Sequence, residues 1–153
     1  MRRAALCACV AIVGVITGCG VDRNDAGGTA TPHGTPPPGG TAVNLTEREW
    51  RITADIQKVP AGAVKFSSVN LGTIEHELVV IRTDYPDGKI PLDGDGFSED
   101  APGVSSPGEL SEYKPDTVDE TVIDLEPGHY QLVCNLPSHY HNGMHIEFEV
   151  LPA

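Results

Sequence analysis

From residue 43 onward, polar and apolar positions fall into short runs separated by turn signals. Val43-Asn44-Leu45-Thr46 alternates and leads into a segment that includes Trp50-Arg51-Ile52-Thr53. Val64 to Val69 follows the turn Pro60-Ala61-Gly62, and Leu78-Val79-Val80-Ile81 is a β-branched apolar run of the kind found in buried strands. Thr121 to Leu125 precedes the turn Glu126-Pro127-Gly128, Tyr130 to Cys134 alternates again, and Ile146, Phe148 and Val150 alternate within Met144 to Val150. No segment has helical periodicity with caps. Short strands joined by Gly/Pro turns predict an all-β sandwich or barrel. The stretch from Asp84 to Thr117 breaks this rhythm. It is acidic and rich in Gly and Pro, and reads as a long loop insertion with room for a short helix. Its Asp93-Gly94-Asp95-Gly96 falls short of an EF-hand, because Phe97 and Ser98 stand where that loop needs Asp or Asn and then Gly. A solvated acidic loop is the expectation.

The N-terminal region is built differently. Arg2 and Arg3 precede an uncharged apolar stretch, Ala4 to Ile16, which is shorter than the roughly 20 residues a membrane-spanning helix needs. This pattern reads as an export signal over residues 1–18. Ile16-Thr17-Gly18-Cys19 resembles a bacterial lipobox, which implies cleavage before Cys19 and a lipid on its sulfur. Residues 19–42 are Gly-, Thr- and Pro-rich and lack core-forming side chains, so they read as a disordered tether with roughly 25 Å of typical reach. The folded domain is expected over residues 43–153, one domain by size.

Processing changes two counts. Loss of residues 1–18 removes two of the ten basic residues and none of the 22 acidic ones, taking the net charge from -12 to -14. That argues against nucleic acid and against direct adsorption to anionic lipid. Of four cysteines, Cys7 and Cys9 leave with the signal and Cys19 is acylated, so Cys134 is the thiol left in the mature domain. An unpaired thiol in an oxidising compartment calls for burial or ligation.

Ligation has support in the segment Cys134-Asn135-Leu136-Pro137-Ser138-His139-Tyr140-His141-Asn142-Gly143-Met144. Thiolate, imidazole and thioether recur at intervals of five on a strand end, a loop and the next strand start. Two imidazoles and a thiolate with a weak axial thioether form the blue-copper donor set. His76, just before the apolar run Leu78 to Ile81, is the candidate for the second imidazole. His141 and His145 lie in the same region and are read as solvent-facing and outward-facing. The bland alternatives are a core thiol at Cys134, a core filler at Met144 and a satisfied histidine at His76.

At these residues the chain resembles the cupredoxins, small blue-copper proteins that include plastocyanin, azurin, rusticyanin and auracyanin. The resemblance rests on Asn70-x-Gly72-x-x-x-His76, on Pro127-Gly128-x-Tyr130-x-x-x-Cys134 and on Cys134-x4-His139-x4-Met144, and loosely covers residues 43–153. It implies a Greek-key β-sandwich with one type I copper near one end. His76, Cys134 and His139 would be equatorial ligands, Met144 the axial one, and the imidazole of His139 a partly exposed electron port. Many members carry Asn directly after the first ligand histidine; here that residue is Glu77, which alters the surroundings of the thiolate.

A closed four-ligand site leaves outer-sphere one-electron transfer as its chemistry. No enzyme activity is expected, since the sequence lacks the His-Cys-His cluster and the repeated His-x-His pairs of copper oxidases. The expected setting is the extracytoplasmic face of the cell membrane (periplasm or cell surface), with the lipid anchor confining a monomeric head near membrane redox partners. The alternatives are a copper-handling protein for delivery or protection, and a lipoprotein interaction module that keeps the fold.

Overall fold

The computed structural model describes residues 35–153; the export signal, Cys19 and most of the tether lie outside the described residues. The described residues form eleven strands and no helix. One sheet has the order β2-β1-β4-β9, built from Arg51–Ala54, Thr41–Arg48, Gly62–Asn70 and Val118–Leu125. The second has the order β3-β11-β10-β5-β8, from Lys58–Pro60, His145–Leu151, Gly128–Val133, His76–Arg82 and Ser105–Tyr113. β1 pairs parallel with β4 and β3 parallel with β11, while the other pairings are antiparallel. A β-sandwich was expected and is found.

The alternation in the sequence is the alternation of faces. Val43 and Leu45 of β1, Val64 and Phe66 of β4, and Ile123 and Leu125 of β9 point inward from the first sheet. They meet Leu78, Val80, Tyr130, Leu132, Phe148 and Val150 of the second. The Phe66 and Phe148 rings, 5.7 Å apart, join the two layers at the centre. Each fully buried side chain of this kind contributes about 1.5–3 kcal/mol relative to exposure.

The region 84–117 differs from expectation. It carries a two-stranded hairpin, β6 (Leu92–Asp93) with β7 (Gly96–Phe97), and the nine-residue edge strand β8. The Asp93-Gly94-Asp95-Gly96 segment is the turn of that hairpin, with Gly94 at φ 63°. β8 escapes a hydrophobicity pattern because, as an edge strand with one face in solvent, it buries only Leu110 and Tyr113. The rest of the insertion lies on the outer face of the second sheet. Ile90 and Phe97 cover Val79, Ile81 and Val133 there, together with Tyr140. This covering explains the unbroken apolar run at 78–81: β5 is buried on both faces.

Candidate metal centre

The antiparallel order places three strand ends together. β5 begins at His76, and β10 runs antiparallel to it and ends at Val133 opposite Val79. β11 starts at His145 opposite Val133. His76, Cys134 and Met144 therefore emerge at one end of the same sheet. Period-two alternation sets their direction: His76 precedes the inward Leu78 and Val80, Cys134 follows the inward Leu132, and Met144 leads the inward Phe148 and Val150. The loop from 134 to 144 supplies His139.

That loop is held from within. The Cys134 N–H donates to Met144 O at 3.0 Å, and the Met144 N–H donates to His139 O at 3.1 Å. The His139 N–H donates to Leu136 O at 2.9 Å, and Ser138, at φ 69°, donates its N–H to Asp95 O of the β6–β7 hairpin at 2.7 Å. Asn135 Oδ1 accepts the Phe97 N–H at 2.8 Å, and the Tyr140 hydroxyl accepts the Ile90 N–H at 3.0 Å. The acidic insertion is thus a brace for the ligand loop.

The donor atoms converge. One ligand atom from each of His76, Cys134 and His139 lies within 4.8 Å of the others. His76 Nδ1 is 3.3 Å from His139 Nδ1, which is 3.1 Å from Cys134 Sγ. His76, Cys134 and Met144 are fully buried and His139 is 6% exposed. Met144 belongs to the core cluster that contains Cys134, with its backbone tied to both Cys134 and His139. His141 is exposed, while His145 faces the opposite side and meets Asp87 at 2.8 Å.

The electrostatics suit a cation. Burial holds both imidazoles below the usual histidine range, with the His139 charge adding to the effect at His76 and Glu49 opposing it at both. Both rings are therefore neutral ligands with lone pairs to offer. Burial pushes the Cys134 thiol up to about 12, and the N–H groups of Glu77 and Leu136 offset only part of that. Two neutral nitrogens and a sulfur facing one another this closely form a site completed by a soft cation, which would also turn the thiol into thiolate. On the other side of the ring, His76 Nε2 is buried without a hydrogen-bond partner.

Glu77, marked in the sequence as a departure from the family pattern, takes a definite place at the site, and two further neighbours, Glu47 and Trp50, were not foreseen. Glu77 directs its N–H to Cys134 Sγ at 3.5 Å, while its Oε1 accepts the Asn135 N–H at 2.9 Å. A carboxylate thus ties the two ligand loops where many cupredoxins have Asn. Joined to the site through Tyr113, the strand partner of His76, the side chain of Glu47 is fully buried; Oε1 accepts from Tyr113 at 2.5 Å and from Ser68 at 3.0 Å, while Oε2 has no partner. Burial raises this carboxyl to about 8. Trp50 lies edge-on to His139 with ring centroids 5.1 Å apart. His139 is for that reason covered, rather than the partly exposed port implied by the family resemblance.

No family model and no curated protein sequence matches this chain. Solved structures do. Auracyanin B matches at 19% identity over 82% of this chain and 97% of its own, with TM-score 0.56. Rusticyanin from Thiobacillus ferrooxidans matches at 15% identity over 72% and 77%, with TM-score 0.57. Auracyanin A, described as a "blue" copper protein from Chloroflexus aurantiacus, matches at 16% identity over 73% and 100%, with TM-score 0.53.

This chain has the cupredoxin fold. Within that fold, residues 76, 134, 139 and 144 all lie at one end of the sandwich, three of them with their donor atoms brought together. The cupredoxin match rests on shape: at these identities the backbone arrangement is shared and most side chains are not.

Proposed function

We propose that the chain is a type I copper protein that carries single electrons. His76 Nδ1, Cys134 Sγ and His139 Nδ1 would hold the copper, with the Met144 thioether as a fourth donor. The observation that carries this reading is the convergence of two imidazole nitrogens and one buried thiol within 4.8 Å. Bound copper would supply the Cu(II)/Cu(I) couple. The protein's part is to keep the donors in one arrangement for both states and to exclude water. Bracing by Asp95, Phe97 and Glu77 serves the first of these. Burial of all four side chains serves the second and leaves no open position for a substrate, which favours a carrier over an enzyme. The same burial weighs against copper delivery, which needs ligands that a recipient can reach.

The reading includes a place: a lipid on Cys19 and a tether over 19–42 would keep the head at the extracytoplasmic membrane face, where its redox partners work. The sequence of the signal supports this. Loading the purified protein with Cu(II) tests the metal assignment. An intense visible thiolate-to-copper band that is lost in Cys134→Ser is expected, with reversible one-electron voltammetry. A colourless protein, or colour that survives Cys134→Ser, would sink the assignment. Fatty-acid labelling of wild type against Cys19→Ser tests the anchor.

A further inference from the structure

The copper end has two unlike flanks. On one, Glu77 is surrounded by Glu99, Glu109 and Glu112, whose charges join burial in raising its carboxyl. On the other stands the β1–β2 hairpin, whose two-residue tip is Glu49-Trp50, closed by Arg48 opposite Arg51. This tip is unusual in three respects. Trp50, the single tryptophan of the chain, is 42% exposed although its ring leans on His139. Arg48 and Arg51 are cross-strand partners, an arrangement in which like charges disfavour folding. Both are exposed, and among the described residues neither side chain makes an ion pair or hydrogen bond. In a chain with more than twice as many acids as bases, this places two unpaired cations around an exposed indole that touches a ligand ring.

The tip is also held in place. Glu49 Oε1 accepts the Thr73 N–H at 2.6 Å, the Thr73 hydroxyl at 3.1 Å and the Ile74 N–H at 3.0 Å. These bonds hold its carboxylate down to about 2 and turn it toward the loop that leads to His76. Exposed Ile74 extends the apolar surface next to this clamp, and exposed Glu75 follows it. An aromatic centre with an arginine rim matches the composition of interface hot spots.

Building on the copper reading, we infer that Trp50, rimmed by Arg48 and Arg51, is the surface through which electrons reach His139. The partner it fits is a one-electron redox protein whose cofactor edge is ringed by carboxylates. One electron passes between that cofactor and the copper across the indole. The copper changes by one oxidation state and the partner by the opposite one; no bond forms or breaks, no proton moves, and the indole itself is not oxidised. Arginine–carboxylate attraction orients the encounter and raises its rate at low salt.

Two probes of opposite charge test this on the full copper-loaded chain. Oxidation of the Cu(I) protein is followed with anionic hexacyanoferrate(III) and with cationic tris(phenanthroline)cobalt(III). Arg48→Gln/Arg51→Gln should slow the anionic probe by about tenfold at low salt, with the loss fading as salt is added. The cationic probe should be unaffected or faster. Trp50→Leu, which keeps an apolar cover but removes the ring, should slow both, and Trp50→Phe should restore part of the loss. Rates that stay level or rise in Trp50→Leu would show that the indole is only a cover, and would overturn the inference. A second measurement needs no electron transfer: hexacyanochromate(III), a paramagnetic anion, should broaden the backbone amide signals of residues 48–51 in the copper-free protein. Broadening confined to other residues would also overturn it, as would a wild-type dimer that dissociates in the double arginine variant, since a second copy would then occupy the tip. Absence of the visible band in wild type sinks the copper reading; a normal band with unmoved rates sinks only the Trp50 contact.

Discussion

Glu77 Oε1 accepts the backbone N–H of Asn135 at 2.9 Å, and so joins the residue after one ligand to the residue after another. Asn135 in turn receives the Phe97 N–H and donates to Phe97 O at 3.3 Å, so Glu77 is one end of a strap that runs into the insertion. Glu77→Ala breaks the strap and leaves the Asn135 N–H without its partner. It should destabilise the copper-free protein by about 1 kcal/mol, the low end of the cost of an unsatisfied donor, because this bond is only part-buried. Glu77→Gln keeps an acceptor and should lose less than half as much. Chemical unfolding of the three proteins checks this; equal losses for Ala and Gln would remove the strap role.

The Cys134 thiol, pushed up to about 12 by burial, stays protonated at neutral pH without metal. The copper-free native protein should therefore resist iodoacetamide at pH 8, while the unfolded protein reacts at once. Copper uptake should release a proton from this thiol, so apparent affinity should weaken as pH falls. Calorimetric titration in buffers of different ionisation enthalpy reads the proton directly. A reactive thiol, or uptake without proton release, would contradict the burial argument.

Glu47 makes a pH dependence of stability with a definite sign. Its carboxyl is raised from 4.5 to about 8 by burial, so the folded state holds a proton that the unfolded state gives up. The contribution is fully present below about pH 4.5 and is lost as pH rises through about 8. The loss is of the order of 5 kcal/mol. Unfolding of the copper-free protein across this window should show stability falling with pH, and Glu47→Gln should flatten the curve. A wild-type profile as flat as that of the variant would place the carboxyl in the usual range.

Gly72 stands between a ligand and the Glu49 clamp. A Cβ there would sit 2.8 Å from both His76 Nε2 and Glu49 Oε1. Gly72→Ala must push the imidazole or the carboxylate aside. It should weaken copper binding by at least tenfold, about 1.4 kcal/mol, and broaden the visible band. Binding and spectrum like those of wild type would mean that the loop yields without disturbing His76.

Much of this molecule is legible in a linear reading. Val43, Leu45, Phe66 and Phe148 alternate with less apolar neighbours because each strand has one face in the core, so period-two patterning alone announces an all-β sandwich or barrel. Cys134, His139 and Met144 are close in sequence, and their spacing is short enough for one loop to present all three. His76 is 58 residues before Cys134, and its place in the group follows only from the antiparallel pairing of β5 with β10. β8 has no signal because an edge strand has little to bury, and the bracing role of the insertion depends on Phe97 meeting Tyr140 across the chain.

The residues around the centre belong wholly to the tertiary structure. Glu47, Ser68 and Tyr113 come from β1, β4 and β8, and nothing in their spacing marks them as one buried network. Trp50 reads in the sequence as one more strand residue; the hairpin turns it onto His139 and leaves the indole in solvent. Local patterning determines which residues face inward and which can share a loop, because side-chain direction repeats every two residues. Which strand lies beside which, and so which side chains meet at the end of the sandwich, depends on pairings between distant segments that no local period records.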